Sequence, residues 1–462
     1  MIVGMRLVLA CMLAGIGPAA ATSLEEYHRQ TQRQASPFLL PIVKRDSLLN
    51  GLQLIVLEQP GTGSVSTRLR INSGALFDLA GKGGLADLTA GMLLRGGAGF
   101  DAKGLRDTVE RSGFTVNVSV GWDTTDIVVS GPADSLDGIF DLLGRLVIAP
   151  AFDQKELEAL KSARIAEIKQ ELAGDNEGLQ QKAVESVFGT NPCGRPARGT
   201  PESVAQILRQ DLVYYHSRFY LANNAELVVT GDAVAEQVTR LGRARLGAWK
   251  KGEKVAPSFR PPAPRSARTV LIMDRPEAQL ATAVIAQIGF ARRADDYFAA
   301  AITIDLLRQA CSAIAAATPG VTIEVEHEPR QIPGPLLVKL KSNAAEIPGL
   351  LESVQTAMVR LQSEAPPSDR VESAKSRLIT AVADRLSASE GAAMVILDME
   401  TYGLGRDYLI NLAERVSAVA PADVQRAAKR YLTPQSAALV IAGPASKLET
   451  ALKLLGAVTV SK

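Results

Sequence analysis

The distribution of apolar and polar residues divides the first half of the chain into short strands and helices. A nearly continuous apolar run at residues 51–57 and alternating patterns at 65–71 and 114–120 are typical of strands. The polar residues of 65–71 are expected to point outward. Shorter apolar runs predict strands at residues 127–130 and 227–229. Apolar residues at helical spacing predict helices at residues 84–94, 105–111, 133–147 and 154–172.

This pattern stops between residues 251 and 268 and then starts again. The interruption contains Pro257, Pro261, Pro262 and Pro264, a composition typical of a linker. A second series of helices and strands follows it. We therefore predict an N-terminal domain at residues 41–250, a linker at 251–268 and a C-terminal domain at 269–462.

A helix–strand segment near the end of each domain occurs twice. Asp211 opens a helix that leads to an apolar strand ending at Gly231, and Asp423 opens one that leads to a strand ending at Gly443. The aspartate and the glycine are 20 positions apart in both segments (211 to 231 and 423 to 443). Two common helix–strand units can share this spacing by chance, but duplication of one domain also explains the position of the linker.

Composition excludes some classes of partner. The chain has 51 Lys and Arg against 49 Asp and Glu, and only 5% of its residues are aromatic. It therefore lacks the basic or basic-aromatic pattern of a protein that binds nucleic acid or an anionic membrane surface. Its 462 residues, 47% of them hydrophobic, are enough for two domains with packed cores.

The N-terminus has the pattern of an export signal. Arg6 precedes an apolar run at residues 7–16, and three alanines at 19–21 offer a small-residue cleavage site. The run is too short to span a bilayer, and we expect no later segment long enough to do so. We therefore expect a signal peptide at 1–21, an N-terminal arm at 22–40, and an exported protein, periplasmic or secreted, without a transmembrane anchor.

Removal of the signal would leave two cysteines. Cys193 and Cys311 are 118 positions apart and form no metal-ligand cluster. They are either buried free thiols or one disulfide in an oxidising compartment, and the sequence leaves both open. The chain has no phosphate-binding loop, dinucleotide fingerprint or nucleophile elbow.

Several short motifs follow one another through nearly all of the mature chain. They are Asn50-Gly51-Leu52, Asn72-Ser73-Gly74-Ala75, Gly84-Leu85-Ala86, Gly96-Gly97, Ser112-Gly113-Phe114, Asn191-Pro192-Cys193-Gly194-Arg195-Pro196 and Gly231-Asp232. Their order and spacing resemble the M16 metallopeptidases, the family of insulinase, pitrilysin and the mitochondrial processing peptidase. The resemblance implies two homologous α+β domains in a clamshell arrangement, each a mixed or antiparallel sheet packed with helices. It also implies that a peptide is added as a strand to a sheet edge.

Active members of this family hold zinc on an inverted H-x-x-E-H motif and a distal glutamate. The two histidines share one helix face, and the glutamate between them takes the proton of the zinc-bound water. By the resemblance, Asp87, Ala90 and Gly91 replace these three residues, and Glu167 remains at the distal position. Asp87 and Glu167 alone supply too few oxygens for a hard cation such as calcium. We therefore expect no catalytic residues, no metal site and no cofactor.

The histidines support this expectation. The chain has three, His28, His216 and His327, and none has another within four positions. We expect His216 to be a half-exposed surface residue on a helix. His327 lies among glutamates on a predicted strand, and we expect it to share their solvated face.

The second domain also departs from active relatives. The resemblance implies a glycine-rich loop there, with an arginine and a tyrosine that orient the substrate. Ala316 and Ile323 occupy these two positions, and Arg308 could substitute for the arginine only in a rearranged loop. The residues that help active relatives to hold substrate are therefore expected to be absent here.

The resemblance implies first a non-catalytic subunit that pairs with a zinc-bearing M16 homologue, as a heterodimer, and contributes surface to a peptide-binding chamber. A stand-alone protein that binds unfolded peptide, or a scaffold, is the alternative. A third hypothesis, an active zinc metalloendopeptidase with an unrecognised site, must overcome the loss of the base, which costs orders of magnitude in rate. The candidate peptide-binding residues are those of the exposed strand, which could instead be no more than a sheet edge: Thr115, Asn117, Val118, Ser119 and Val120.

Overall fold

The computed structural model describes residues 40–97, 99–174, 177–255 and 259–461. The predicted signal peptide and all of the N-terminal arm except its last residue, including His28, lie outside these described residues. Two six-stranded sheets and the helices packed on them make up the described chain. Residues 247–255 and 259–268, which include the described part of the linker, contain no helix or strand.

The first half contains strands β1 to β8 and helices α1 to α8. The strands are β1 (Lys44–Ser47), β2 (Gln53–Glu58), β3 (Ser64–Ile71), β4 (Gly96–Gly97), β5 (Phe100–Asp101), β6 (Thr115–Val120), β7 (Thr125–Pro132) and β8 (Ala225–Gly231). The helices are α1 (Leu85–Leu93), α2 (Ala102–Arg111), α3 (Leu136–Ile148), α4 (Gln154–Ala173), α5 (Glu177–Phe188), α6 (Pro201–Ala205), α7 (Arg209–Phe219) and α8 (Ala235–Leu246). The sheet has the order β1-β2-β8-β3-β7-β6, and β4 pairs with β5 in a separate two-stranded sheet.

The second half contains the remaining elements. Its strands are β9 (Thr269–Asp274), β10 (Leu280–Ile288), β11 (Thr322–His327), β12 (Pro335–Asn343), β13 (Ala438–Gly443) and β14 (Val458–Ser461). Its helices are α9 (Tyr297–Ala317), α10 (Ile347–Ser363), α11 (Ser368–Ser387), α12 (Ser389–Thr401), α13 (Leu412–Ser417), α14 (Pro421–Tyr431) and α15 (Ala445–Leu452). The order of this sheet is β11-β12-β10-β13-β9-β14.

Five strands of each half share one topology, which confirms the predicted duplication, whereas the outermost strands β1 and β14 differ in chain position and direction. The order β2-β8-β3-β7-β6 corresponds to β9-β13-β10-β12-β11, and in each run only the first pair is parallel. The repeated aspartates make the same helix cap. Asp211 accepts a hydrogen bond from the backbone nitrogen of Leu208, and Asp423 accepts one from that of Ala420, both at 2.8 Å. The predicted fold class, two α+β domains with mixed sheets, is confirmed.

One face of the first sheet is covered by a helix of the second half. Ile55 and Leu57 of β2 and Val228 of β8 lie in one buried cluster with Val395 and Ile396 of α12. The residues that alternate with them along β2 and β8 face the core of the first half. Because both faces of these strands are buried, the strands are almost continuously apolar.

The second sheet is covered in the same way by a helix of the first half. Leu179, Ala183 and Val187 of α5 form a buried cluster with Val284 of β10 and Val440 of β13. Helices α5 and α12 are therefore exchanged between the halves. By sequence α5 belongs to the predicted N-terminal domain, whereas by packing it belongs to the C-terminal one. The domain boundaries at residues 250 and 269 stay sequence predictions.

Helix α9 corrects one expectation about membrane spans. It has 21 residues and, by length and composition alone, is apolar enough to cross a bilayer. Its side chains Ile302, Leu306, Leu307 and Cys311 are buried in the core of the second half, as expected of a core helix. The expectation that no later segment is long enough to span a bilayer was therefore wrong. The packing of α9 is nevertheless that of a helix inside a domain.

The two cysteines are buried free thiols rather than a disulfide. Burial raises the pKa of the Cys193 thiol to about 11 and that of the Cys311 thiol to about 12. Both thiols are therefore protonated at neutral pH, which makes them poor nucleophiles and poor metal ligands.

Candidate functional site

Helix α1 carries the three residues that the resemblance assigns to the zinc-motif positions, and its orientation is fixed by burial and by a cap. Leu85, Leu88 and Met92 are buried in the core of the first half. The carboxylate of Asp78 accepts hydrogen bonds from the backbone nitrogens at residues 84 and 86, at 2.7 Å each. These bonds satisfy N–H groups that the first turn of a helix leaves free.

Asp87, which the resemblance assigns to the first motif position, makes an ion pair with Arg164 of α4. The Nε atom of Arg164 lies 2.7 Å from Oδ2 of Asp87, and its Nη1 atom lies 2.6 Å from Oε2 of Glu167. The guanidinium thus bridges the two carboxylates that the sequence singled out. Burial raises the pKa of Asp87 above its usual range, against the opposing effect of Arg164 and Arg198. Asp87 is therefore neither a helix cap nor a solvated surface charge.

A second arginine extends the ion pairs. Arg198 lies 2.5 Å from Oε2 of Glu167 through its Nη2 atom and also pairs with Glu171. We call the set of Asp87, Arg164, Glu167, Glu171 and Arg198 the arginine cluster. Three carboxylates and two guanidinium groups leave it with one net negative charge.

The residues present do not fit a zinc ion. The guanidinium of Arg164 joins the two carboxylates, and Ala90 offers no ligand atom. A Cβ atom on Gly91 would lie 3.0 Å from Cδ2 of Leu160, so a larger side chain there requires Leu160 to move. Among the described residues, no three His, Cys, Asp or Glu side chains form a group that could hold a metal ion.

The two described histidines are held by backbone atoms. His216 is partly buried, its ring stacks on Tyr220 with centroids 4.8 Å apart, and its Nε2 atom lies 2.9 Å from the carbonyl oxygen of Val147. Burial lowers its pKa to about 4. His216 lies on a helix and is partly exposed, as expected. Its ring, however, packs on Tyr220 and hydrogen-bonds to the backbone.

The expectation for His327 was wrong. Along a strand successive side chains alternate between faces, so the exposed glutamates Glu324 and Glu326 point away from the side where His327 packs. The His327 ring lies 4.2 Å from that of Phe290. Its Nδ1 atom donates to the carbonyl oxygen of Pro335 at 3.0 Å, and its Nε2 atom accepts the backbone N–H of Phe290 at 3.3 Å.

The low pKa of His216 predicts a loss of stability in mild acid. At pH values between the folded pKa of His216, about 4, and its ordinary pKa, about 6.5, the unfolded chain carries a proton on His216 that the folded chain lacks. The contribution of the neutral His216 ring to stability is therefore complete at pH values above its ordinary pKa. It is lost as the pH falls toward the folded pKa. We expect the free energy of unfolding to fall by about 2 kcal/mol more between about pH 7 and pH 5 in the wild type than in His216→Gln.

Urea unfolding of both proteins at the two pH values measures this difference. Comparing the two proteins cancels the contribution of other buried groups, such as Asp78 and Glu226, since these are common to both. Equal pH dependence of wild type and variant would show that His216 does not contribute.

The predicted peptide-binding strand is the edge strand β6. It pairs with β7 on one side, and none of the described strands pairs with it on the other. Thr115, Asn117 and Ser119 are exposed, whereas Val118 and Val120 are partly buried against the first core. Helix α1 packs beside it, which places the strand next to the arginine cluster. Peptide docking on this strand stays a prediction.

The second-half positions assigned to the arginine and the tyrosine do not lie together in a loop. Ala316 is on the last turn of α9, which continues through the stretch where the resemblance implies a loop. Ile323 is on β11, and Arg308 donates from Nε to the carbonyl oxygen of Val325 at 3.1 Å. Arg308 is thus fixed against its own domain.

A cavity that the sequence did not indicate lies beyond the C-terminal end of β6. Its volume is about 310 Å³, and Trp122 and the three arginines Arg195, Arg198 and Arg330 are among its lining residues. Arg330, from the second half, stacks on Trp122 with 4.7 Å between its guanidinium carbon and the ring centroid. Neither this cavity nor the ion pairs of Arg164 were predicted. Arginine is not part of any metal-ligand motif, and the residues that line the cavity come from segments far apart along the chain.

Comparison with known proteins gives two family matches. The profile described as insulinase (peptidase family M16) matches residues 54–201, and the one described as peptidase M16 inactive domain matches residues 206–378. An uncharacterized zinc protease of Rickettsia bellii is 22% identical over 45% of this chain and 50% of its own length. The non-peptidase homolog YmxG of Helicobacter pylori is 22% identical over 54% of this chain and 55% of its own. The matches thus span about half the length of these curated relatives.

Solved structures have the same fold. A peptidase M16 inactive domain from Pseudomonas fluorescens superimposes with a TM-score of 0.78 at 22% identity, over 87% of this chain and 98% of that one. The periplasmic protease PqqL of Escherichia coli superimposes with a TM-score of 0.73 at 15% identity, over 90% of this chain but only 49% of that one. The described fold therefore corresponds to about half of the longer PqqL chain.

Proposed function

The chain belongs to peptidase family M16, and we propose that it is a non-catalytic member that binds unfolded peptide in a chamber completed by a zinc-bearing M16 partner. We also propose, from the N-terminal signal pattern, that it acts after export, in the periplasm or outside the cell. The arginine cluster is the observation that carries the proposal. At the positions that the resemblance assigns to zinc ligands, this chain has an Arg164 guanidinium between two carboxylates.

The charge of Arg164 supports the loss of catalysis. The Arg164 guanidinium offsets one of the two carboxylate charges of Asp87 and Glu167, occupies the space between them and repels a divalent cation. The resemblance assigns the position of the general base to Ala90, which has no group that could take a proton. An M16 inactive domain and a non-peptidase homolog among the relatives agree with this proposal.

The size of the fold supports a partner. This chain superimposes on about half of PqqL, whose single chain is long enough for two such folds. The described residues form one such fold, and a second one would be needed to enclose an equivalent space. We propose that a homologue with an intact zinc motif supplies it, and that the two chains form a heterodimer.

The exposed edge of β6 supports peptide binding. An edge strand presents unpaired N–H and C=O groups, and an extended peptide can pair with them as an added strand. Main-chain pairing of this kind tolerates many sequences, as a chamber for unfolded peptides requires. The proposed contacts are made by the backbone of Thr115 to Val120.

We expect the isolated protein to bind an extended peptide without cleaving it. A fluorescein-labelled unstructured peptide should bind as measured by anisotropy, while mass spectrometry detects no cleavage with or without added zinc. In an extended peptide, alternate backbone N–H groups point to the same side, so methylating every second nitrogen removes the donors on one side. Two such methylated forms exist. The form that lacks the donors facing β6 should bind about ten-fold more weakly or worse.

The unmethylated peptide and the oppositely methylated form serve as matched controls. Cleavage that EDTA abolishes would contradict the non-catalytic assignment. Equal binding of both methylated forms would contradict strand addition. A chain that purifies from its native extract as a monomer would favour the stand-alone alternative over the subunit.

A further inference from the structure

The cavity beyond β6 lies where a peptide docked on that strand would continue. Trp122 is two positions after Val120, the last residue of the strand, and lines the cavity. The segment from Cys193 to Gly199 lines it as well, and the second half contributes Arg330 and Pro335. The cavity is thus built by both halves at the end of the proposed peptide path.

The charges that line this cavity are mainly positive. Arg195, Arg198 and Arg330 face one carboxylate, that of Glu171. Arg198 is already paired with Glu171 and with Glu167 in the arginine cluster. The cavity therefore holds two more guanidinium groups than it holds carboxylates.

These two guanidinium groups differ in how they are paired. Arg330 is only 12% exposed, and its ion-pair partner, Glu328, is 71% exposed to solvent. The side chain of Arg195 makes no hydrogen bond or ion pair with any described residue, although it is partly buried. Its charge acts at longer range on Asp78, but a partly buried guanidinium that makes no hydrogen bond or ion pair favours an anionic ligand.

The wall that carries Trp122 is fixed before any ligand binds. Its neighbour Asp123 accepts hydrogen bonds, both at 2.9 Å, from the backbone nitrogen of Gln331 and the hydroxyl of Tyr402. Both donors belong to the second half. Because the loop is tied to the opposite half, binding would cost little ordering of the cavity.

We propose that this cavity binds a carboxylate of a peptide docked on β6, with Arg195 as the principal partner. This inference rests on the proposed peptide-binding function. The fork of N–H groups on arginine matches both oxygens of a carboxylate. Ile168, Leu172 and Val184 provide an apolar wall for the methylene groups that lead to it. The volume of about 310 Å³ suits one side chain or one chain end rather than a whole ligand.

Three versions of one labelled unstructured peptide test the proposal and identify the source of the carboxylate. The first has a single glutamate and a free C-terminus, the second has glutamine in place of the glutamate, and the third has an amidated C-terminus. Binding to the wild-type protein is measured by anisotropy at low and at moderate salt. We expect one of the two neutralised peptides to bind about ten-fold more weakly than the first.

Arg195→Gln should remove this preference and leave the binding of the neutralised peptide unchanged. Arg106→Gln is the matched control, because it removes the same charge from an exposed position on α2. Equal binding of all three peptides to the wild type, or a preference that survives in Arg195→Gln, would overturn the cavity assignment while peptide binding stands. No binding of any peptide would overturn the proposed function and this inference together.

Discussion

Replacement of Arg70 by methionine is expected to lower the free energy of unfolding by about 3–5 kcal/mol. Arg70 of β3 is bidentate with Asp126 of β7, at 2.7 Å and 2.9 Å, and also donates to Asp398 of α12 at 2.9 Å. The side chains of Arg70 and Asp126 are 4% and 9% exposed. Without the guanidinium the Asp126 carboxylate keeps a single ion pair, with Arg68, in a site almost closed to water.

A double variant separates the cost of the unpaired charge from the value of the ion pair. Replacing Arg70 by methionine and Asp126 by leucine removes both charges, so it should destabilise the protein much less than Arg70→Met alone. Urea unfolding at neutral pH measures both. A loss below about 1 kcal/mol for the single variant would place the pair among surface ion pairs of little energetic value.

Arg70 also illustrates where reasoning from the sequence fails. The alternating pattern of residues 65–71 correctly predicts a strand, and it predicts that the polar positions point outward. They do point away from the core of the first half, but α12 of the second half covers that face. Arg70 is therefore buried by an element more than 300 positions away, and no local pattern contains that information.

Features with a local signature were predictable. The helix of residues 154–172 extends by only one residue beyond the prediction, since Asp153 caps its start and its buried residues Leu157, Leu160 and Ile168 lie at helical spacing. The equal spacing of Asp211–Gly231 and Asp423–Gly443 indicated a duplication that the sheet topology confirms. The single exposed face of residues 115–120 followed from their alternation, whereas their role as a peptide-binding edge was proposed from the family resemblance.

The arginine cluster required three-dimensional information. The sequence placed Asp87 and Glu167 at ligand positions, but not Arg164 between them or Arg198 beside them. Glu167 and Arg198 lie on different elements, and their contact depends on how the segment after α5 returns to α4. His327 is a different case, because the alternation of faces along a strand already separates it from the neighbouring glutamates, so its side could have been predicted from the sequence.

The exchange of helices predicts that neither half folds alone. Helix α12 buries four large apolar side chains in and around its contact with the first sheet: Val395, Ile396, Leu397 and Met399. Burial of such side chains stabilises a fold by about 1.5–3 kcal/mol each, so the exchanged helix contributes on the order of 10 kcal/mol. This equals the whole stability of a typical domain, about 5–15 kcal/mol. A half that lacks its covering helix has no comparable contribution to replace it.

Expression of residues 40–255 and 259–461 as separate chains tests this prediction. Each fragment alone should unfold without a cooperative thermal transition, because Ile55 and Val228 in one, and Val284 and Val440 in the other, lose their cover. Coexpressed fragments should copurify and regain a single transition close to that of the intact chain, which is the control. A sharp transition in either isolated fragment would mean that each half is stable on its own core. The exchange would then orient the two halves without being needed for folding. The β6 edge and the arginine cluster would form in the N-terminal fragment alone. The cavity lined by Arg330 would still require both fragments.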